Sequence, residues 1–562
     1  MKIAKLNWRI LIVSCLLSIS FSFADAQSIT LTNPILSGFY PDPSIVKTGD
    51  DYYLVNSTFS YFPGLPVFHS KDLKNWQQIG NVISRPAQLN FIGDKVTRGL
   101  FAPAISFHNG LYYVTCTNID HKGNFLVTAK DPAGPWSDPV WLPDVRGIDP
   151  SLFFDDDDKA YILYNSDPPD HQSLYPGHRT IRMYELDALA GKISGAEKIL
   201  INGGVDISQK PVWIEGPHIM KANGWYYLYA AEGGTSVNHS EVVFRSKSVW
   251  GPYISYEHNP ILTQRNLPED RKDPITSAGH AQFVEGPDGK TYAVFLAVRP
   301  YSGDYYNTGR ETFIAPVEWK DGWPVINPGS PEIKYRYTAH YKEQKPGKIL
   351  PQSGNFSYRL TFENGADPSL LFLRTVDSSN FSTGAEGLKL NLKPATCMGL
   401  DNPAFVGKRQ QHLYCTTETK LDFETVKENE KAGLLAFQDE RHFYYLCKSY
   451  AAGKPVVQLF KSNKDKEAME LLAEKPVRNQ QGSIWLRIKA EGGSYSFYYA
   501  QKENQWNLLK TGVDGRWLST HEAGGFTGCI LAMYATSSSN SSNNNAVFRY
   551  LYYKGDDPMF RQ

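Results

Sequence analysis

Short apolar runs recur in pairs through the N-terminal half of the chain, each pair split by Gly, Asp or Asn. The repeated phrase is a small or acidic residue, mostly followed by Pro, then an apolar strand, a turn and an aromatic-rich strand. It reads Asp42-Pro43-Ser44-Ile45-Val46 with Tyr52-Tyr53-Leu54-Val55, and Ala102-Pro103-Ala104-Ile105 with Leu111-Tyr112-Tyr113-Val114. Next come Asp149-Pro150-Ser151-Leu152-Phe153 with Tyr161-Ile162-Leu163-Tyr164, then Glu215-Gly216-Pro217-His218-Ile219 with Trp225-Tyr226-Tyr227-Leu228-Tyr229. The fifth copy lacks the Pro: Gly279-His280-Ala281-Gln282-Phe283-Val284 with Tyr292-Ala293-Val294-Phe295. Each pair is a hairpin signal, and the intervals hold about four strands apiece, the content of a propeller blade. Helical windows are few; Glu185 to Leu189 is at best one turn. The pattern predicts a five-bladed β-propeller over residues 28–331, with a sandwich of unrelated hairpins as the alternative.

The C-terminal half alternates differently. Ser357-Tyr358-Arg359-Leu360-Thr361-Phe362, Ala432-Gly433-Leu434-Leu435-Ala436-Phe437 and Ile484-Trp485-Leu486-Arg487-Ile488 are strands of a jelly-roll β-sandwich over residues 344–558. Pro324 to Lys345, rich in Pro, Gly and charge, reads as the linker, and Ser537 to Asn545 as a mobile polar loop. The fold class is therefore all-β, a propeller followed by a sandwich.

Inner strands of a propeller converge on its axis, so equivalent positions meet in space. That position holds Asp42, Ala102, Asp149, Glu215 and His280. Taken singly, an Asp-Pro is a turn. Three carboxyls gathered at one mouth repel one another and raise at least one pKa, which argues for chemistry over structure. Two carboxyl groups across a sugar ring suit glycosidic cleavage, one as acid and one activating water or attacking directly. Glu215, among Val212, Trp213, Ile214 and Pro217, is the better acid because desolvation favours its protonated form. The shorter Asp42 leaves room for a water and is the base. Asp149 is left to hold Glu215 and keep it protonated.

Composition narrows the partners. The 562 residues balance 58 basic against 58 acidic side chains, which leaves no electrostatic footprint for nucleic acid. With 34 Tyr, 29 Phe and 12 Trp, the chain suits flat, hydroxyl-rich ligands. Lys2, Lys5 and Arg9 precede an apolar stretch from Ile10 to Phe23 and Ala24-Asp25-Ala26, a signal peptide over residues 1–26. Periplasmic export follows, with secretion or lipid anchoring through Cys15 as alternatives; no segment reads as a membrane span. The remaining Cys116, Cys397, Cys415, Cys447 and Cys529 have no zinc spacing and read as buried small hydrophobes. A Cys397–Cys415 bridge stays open in an oxidising compartment.

Phe39-Tyr40-Pro41-Asp42-Pro43-Ser44, Gly147-Ile148-Asp149-Pro150-Ser151-Leu152 and Ile214-Glu215-Gly216-Pro217-His218 resemble the three signatures of glycoside hydrolase family 43. Ser57-Thr58-Phe59, Ala230-Ala231-Glu232-Gly233-Gly234-Thr235 and Gly309-Arg310-Glu311-Thr312 are similar to further family motifs. The resemblance implies a five-bladed propeller, inversion of configuration, and base, pKa-modulating and acid carboxylates at Asp42, Asp149 and Glu215. It puts Phe59 in the sugar pocket, with core packing as the alternative, and Arg310 on sugar hydroxyls, with a surface ion pair as the alternative. His280 matches an axial histidine that contacts the sugar or sits beside a water-bound calcium in many members. No cofactor is required, and any Ca2+ would lie near His280 as a support, since a lone imidazole is no calcium site. The Asp155 to Asp158 run reads as a solvated turn instead of a calcium loop.

Where xylosidase members often carry Trp-Ala-Pro-Asp, this chain has Phe101-Ala102-Pro103-Ala104. Phe101 keeps a stacking face while a carboxylate is lost, which leaves the leaving-sugar specificity open. The second half resembles the concanavalin-like domain of xylosidase-type members, whose rim loop would here be Gly524-Gly525-Phe526-Thr527-Gly528, with Phe526 reaching the sugar. The sequence thus predicts an exo-acting, inverting α-L-arabinofuranosidase acting on hemicellulose-derived oligosaccharides. The alternatives are a β-D-xylosidase, a dual-specificity enzyme or a non-catalytic sugar-binding propeller. Its oligomeric state is left open.

Overall fold

The computed structural model describes residues 28–344, 347, 349–478 and 482–561. Residues 1–26, expected from the sequence to be a signal peptide, lie with Cys15 outside the described residues. Among the described residues, five antiparallel sheets follow one another along the first half of the chain. Blade I comprises Ser44–Thr48, Asp51–Val55, Gly64–Ser70 and Gln77–Ile83; blade II comprises Leu100–His108, Leu111–Asn118, Gly123–Ala129 and Val140–Trp141. Blade III is built on Ile148–Phe154, Ala160–Ser166 and Thr180–Asp187, and blade IV on Glu215–Ala222, Trp225–Glu232 and Ser240–Ser246. Each of these adds two short strands on its third. Blade V holds Thr276–Glu285, Thr291–Val298, Glu311–Lys320 and Trp323–Ile326. The first strands touch in the cyclic order I–II–III–IV–V–I, which makes the array a β-propeller.

Local chemistry explains the hairpins. Asn109-Gly110, Asn223-Gly224 and Asp321-Gly322 each carry two successive positive φ angles, the two-residue turn that matches strand twist. Second strands such as Ala160–Ser166 are buried on both faces between neighbouring blades, so they lose the alternation seen in exposed sheets. Outer strands such as Gln77–Ile83 stay partly open to water.

At the repeat position the register of the inner strand breaks. The irregularity falls between Phe101 and Ala104 in blade II, Ile148 and Ser151 in III, Glu215 and His218 in IV, and on both sides of Gly279 in V. A bulge of this kind re-aims a side chain out of the sheet plane. Asp149, Gly216 and His280 adopt φ of 55°, 57° and 54° there, and Asp42, just ahead of blade I, adopts 52°. Hairpins build the blades; bulges in blades III, IV and V, and the left-handed φ at Asp42 ahead of blade I, turn the chemical side chains toward the axis.

The second half stacks a six-stranded sheet running from Ala404–Arg409 to Met469–Pro476 on a nine-stranded one, a β-sandwich. Leu434, Leu446 and Leu531 face Leu421, Leu486 and Phe497 across its core. That core continues into the propeller through Val55, Phe62 and Leu65, and Tyr61–Phe62 pairs as a strand with Phe372–Leu373. Among the described residues, no helix is long and apolar enough to cross a membrane.

Three expectations change. Part of the Pro324 to Lys345 segment is strand: Trp323–Ile326 completes blade V, and Arg336–His340 pairs with Ser28–Thr32. Backbone hydrogen bonding outweighs its Pro- and Gly-rich composition. Cys397 and Cys415 are both free and buried, so the bridge left open above is not formed. The Ser537 to Asn545 loop is tied down, because buried Glu430 accepts from Ser542 Oγ (2.7 Å) and Asn544 Nδ2 (2.8 Å).

The two domains share a buried ion cluster. Arg299 donates to Glu311 through Nε (2.6 Å) and Nη2 (2.8 Å), and to Asp557 Oδ2 through Nη1 (2.6 Å). Glu311 Oε1 also accepts from the Gly38 N–H, and Asp557 Oδ1 from the Tyr414 N–H. Replacing Arg299 by Met leaves two buried carboxylates without their cation. The expected loss is about 3–5 kcal/mol, read as a lowered thermal midpoint, and Arg299→Lys recovers only part because Lys cannot span both partners with a planar fork.

Candidate active site

The re-aimed positions meet in a cavity of about 320 Å³ at the head of the propeller axis. Asp42, Ala102, Asp149, Glu215 and His280, one from each blade, all line it, joined by Phe59, Phe101, Arg310 and Phe526. Every site residue expected from the sequence is therefore at one location. Ala104, in contrast, is not among the lining residues, whereas Phe101 and Ala102 are.

Asp42 is held from two sides. Ser57 Oγ donates to its Oδ2 (2.6 Å) and Arg310 Nη1 to its Oδ1 (3.0 Å). Burial alone would raise this carboxyl, but Arg310, His280, Ser57 and His239 together bring it below its ordinary value. Asp42 is thus a carboxylate. Arg310 is neither a surface pair nor free. It is a buried partner of Asp42, and its Nε has no protein partner.

Glu215 has the opposite setting. Burial pushes it up to about 7; the Trp213 indole N–H, 2.6 Å from Oε2, pulls down, and the Asp42 charge pushes up. Asp149 is raised well above the carboxylate range by burial, then by Glu215 and Asp42, against the Gly216 N–H it accepts at 3.1 Å. Asp149 therefore holds Glu215 through the next residue's backbone, not by touching its carboxyl. The Glu215 charge is thus one of the causes that raise Asp149, and the protonation of the two is linked.

Gly216 is required by space and backbone. A Cβ there would stand 2.7 Å from His280 Cε1, at a φ that side chains disfavour. The His280 imidazole is pushed down by burial, with Asp42 opposing and Arg310 adding, and is neutral. Nearby His218 and His239 fall to about 3 and about 4, chiefly by burial.

Calcium beside His280 is tested by these donors. Both Asp42 oxygens are already engaged, the Arg310 charge stands alongside, and a hard cation needs oxygen ligands. Among the described residues no three His, Cys, Asp or Glu side chains are grouped to hold a metal ion. The residues do not fit a directly ligated cation. The Asp155 run is a hairpin turn in which Asp155 accepts from Lys221 Nζ and Tyr226 OH.

One wall is aromatic and comes from both domains. Phe526 stacks on Phe59 (5.8 Å, 14°) and meets Phe101 edge-on (5.5 Å), while Arg310 lies 5.5 Å over the Phe526 ring. Phe526 is seated by its N–H on Thr97 Oγ1 (2.8 Å). Phe59 is both core and wall: it is buried, stacked on Phe39, and lines the cavity. Sequence reasoning took Trp213 only as apolar surroundings and gave Ser57 no role. The two-residue spacing of Trp213 from Glu215, and Ser57 beside Phe59, were the available signals.

A paired low- and high-pKa carboxyl facing a small aromatic pocket defines a glycosidase. The chain belongs to glycosyl hydrolases family 43, whose family model matches residues 31–324; a beta xylosidase C-terminal concanavalin A-like domain matches 359–554. It is 38% identical over 524 residues to a xylosidase/arabinosidase of Butyrivibrio fibrisolvens, covering 92% of this chain and 98% of the relative. It is 37% identical over 533 residues to a non-reducing end alpha-L-arabinofuranosidase of Bacteroides ovatus, covering 93% and 95%. A solved structure titled as a GH43B of a Bacteroides ovatus xyloglucan locus superposes with a TM-score of 0.83 at 35% identity, over 94% of this chain and all of that one.

Gly216→Ala should cost about 1–3 kcal/mol through the forced φ and the His280 contact, and lower turnover by displacing Glu215. Thermal denaturation and single-turnover rates of the variant check this.

Proposed function

We propose that this glycosidase removes one α-L-arabinofuranosyl residue at a time from the non-reducing ends of hemicellulose-derived oligosaccharides, with inversion. The observation that supports it is the pair Asp42 and Glu215, facing one small pocket in opposite protonation states. Asp42 takes a proton from water as that water attacks the anomeric carbon. Glu215 gives its proton to the leaving oxygen as the glycosidic bond breaks. Asp149 orients Glu215 through the Gly216 N–H that it accepts. Arg310 keeps Asp42 charged and turns its remaining donors toward sugar hydroxyls, while Phe59, Phe101 and Phe526 cover one sugar face. A cavity of about 320 Å³ suits the end of a chain better than its middle. The basic-apolar leader supports an exported, periplasmic enzyme.

The second reading is β-D-xylosidase activity in the same pocket, favoured by the double name of the Butyrivibrio relative. Release of arabinose against xylose from arabinoxylan, arabinan and xyloglucan oligosaccharides separates the two. Xylose alone would overturn the first. Asp42→Ala and Glu215→Ala should each lower kcat about 10²–10⁴-fold with the fold intact, and early product seen by NMR should have the inverted anomer. A retained anomer, or near-normal rates, would remove these roles.

The pH profile follows from the two carboxyls. Glu215 must be protonated, so kcat/KM falls as pH rises through about 7. Asp42 must be ionised, so the acid limb lies below the usual carboxylate range. Asp149→Ala removes the acceptor of the Gly216 N–H and should lower kcat by loosening the backbone that carries Glu215, read from initial rates beside an unchanged thermal midpoint.

A further inference from the structure

Trp213 is held in a conformation that a bulky aromatic side chain avoids. Its φ is 58°, in the left-handed region, and its own N–H is fixed on the Gly177 carbonyl at 2.7 Å. Its indole N–H donates to Glu215 Oε2 at 2.6 Å, while its ring face carries the Arg179 guanidinium at 4.8 Å. Arg179 is itself anchored: Nε and Nη2 both donate to Asn165 Oδ1 (3.1 and 2.6 Å), and Nη1 pairs with Asp167. The amide of Asn165 donates in turn to the Ile214 carbonyl, between Trp213 and Glu215. A closed clamp from blade III thus grips both the indole and the backbone that carries Glu215.

We propose that Trp213 is a positioning residue that decides which oxygen of Glu215 carries the catalytic proton. An indole nitrogen only donates, and in a protonated carboxyl the carbonyl oxygen is the stronger acceptor and the hydroxyl oxygen the weaker one. The bond to Oε2 therefore favours the form with Oε2 as carbonyl oxygen and the proton on Oε1. When that proton passes to the leaving oxygen and the glycosidic C–O bond breaks, Glu215 is left a carboxylate. Oε2 then accepts the same N–H more strongly, a charge-assisted bond that favours the donated state. Arg179 and Asn165 keep the indole in place while this happens.

The inference rests on reading Glu215 as the acid, and the test keeps the two apart. Leaving groups that need protonation, as in oligosaccharides, feel a misplaced proton; a nitrophenolate, which departs unaided, does not. Trp213→Phe keeps an aromatic face for Arg179 and removes the N–H together with one of the two fused rings. It should lower kcat on an arabino-oligosaccharide about tenfold or more, lower that on a nitrophenyl arabinofuranoside less than about threefold, and raise the alkaline limb by about half a pH unit. Trp213→His, which keeps a ring N–H, should restore part of the oligosaccharide rate. Arg179→Met should give the same split in smaller measure, and serves if the Phe variant does not accumulate. Equal losses on both substrates with an unmoved limb, in either variant, would overturn the proposal. Glu215→Ala run alongside shows a strong leaving-group split if Glu215 is the acid; absence of that split would bring down the functional reading itself. In the Glu215→Ala background, Trp213→Phe should add nothing.

Discussion

The buried ion pair between Asp42 and Arg310 is the constraint on which the site depends. Three carboxyls crowd the propeller axis, and like charges out of water are costly unless a cation is fixed among them. Arg310 supplies that cation from blade V to a residue at the entry of blade I, so it also joins the two ends of the ring. Thr312 continues the seam, donating to the Tyr40 carbonyl at 2.7 Å. The adjacent Glu311 is gripped by Arg299, and Arg299 reaches Asp557 in the sandwich. Ring closure, charge balance and domain docking therefore run through three consecutive residues, Arg310 to Thr312.

This placement creates the asymmetry the chemistry uses. Arg310, Ser57 and His280 surround Asp42 and overcome its burial, while at Glu215 and Asp149 burial outweighs the same cation and the Asp42 charge pushes both further up. One carboxyl is ionised and another protonated within the same pocket, through environment alone. The sandwich adds the apolar wall. Phe526 arrives on a short loop seated on Thr97, so the pocket is complete only when the two domains are packed. The continuous core between them makes the second domain part of the active site's frame and not an appendage.

Much of this was legible because the propeller repeats. A phrase that returns five times marks equivalent places, and equivalence around a ring is proximity; Asp42, Ala102, Asp149, Glu215 and His280 followed from that alone. The neighbours that tune them belong to no repeat. Ser57 and Trp213 act through hydrogen bonds set by local backbone, including a left-handed φ at Trp213 that no propensity favours. The Pro324 to Lys345 segment looked like a linker because composition counts Pro and Gly, whereas its strand Arg336–His340 is dictated by a partner three hundred residues away, Ser28–Thr32.

Sequence by itself determined the hairpins, the number of repeats and the identity of the groups brought to the axis, because strand alternation and Asn-Gly turns are local and their period is written in the chain. Tertiary structure alone decided which carboxyl is charged, which oxygen of Glu215 faces the indole, and that a phenylalanine from the far end of the chain closes the pocket. Those outcomes depend on burial and on distances of a few ångströms between segments remote in sequence, and electrostatics at that range is invisible to any pattern along the chain.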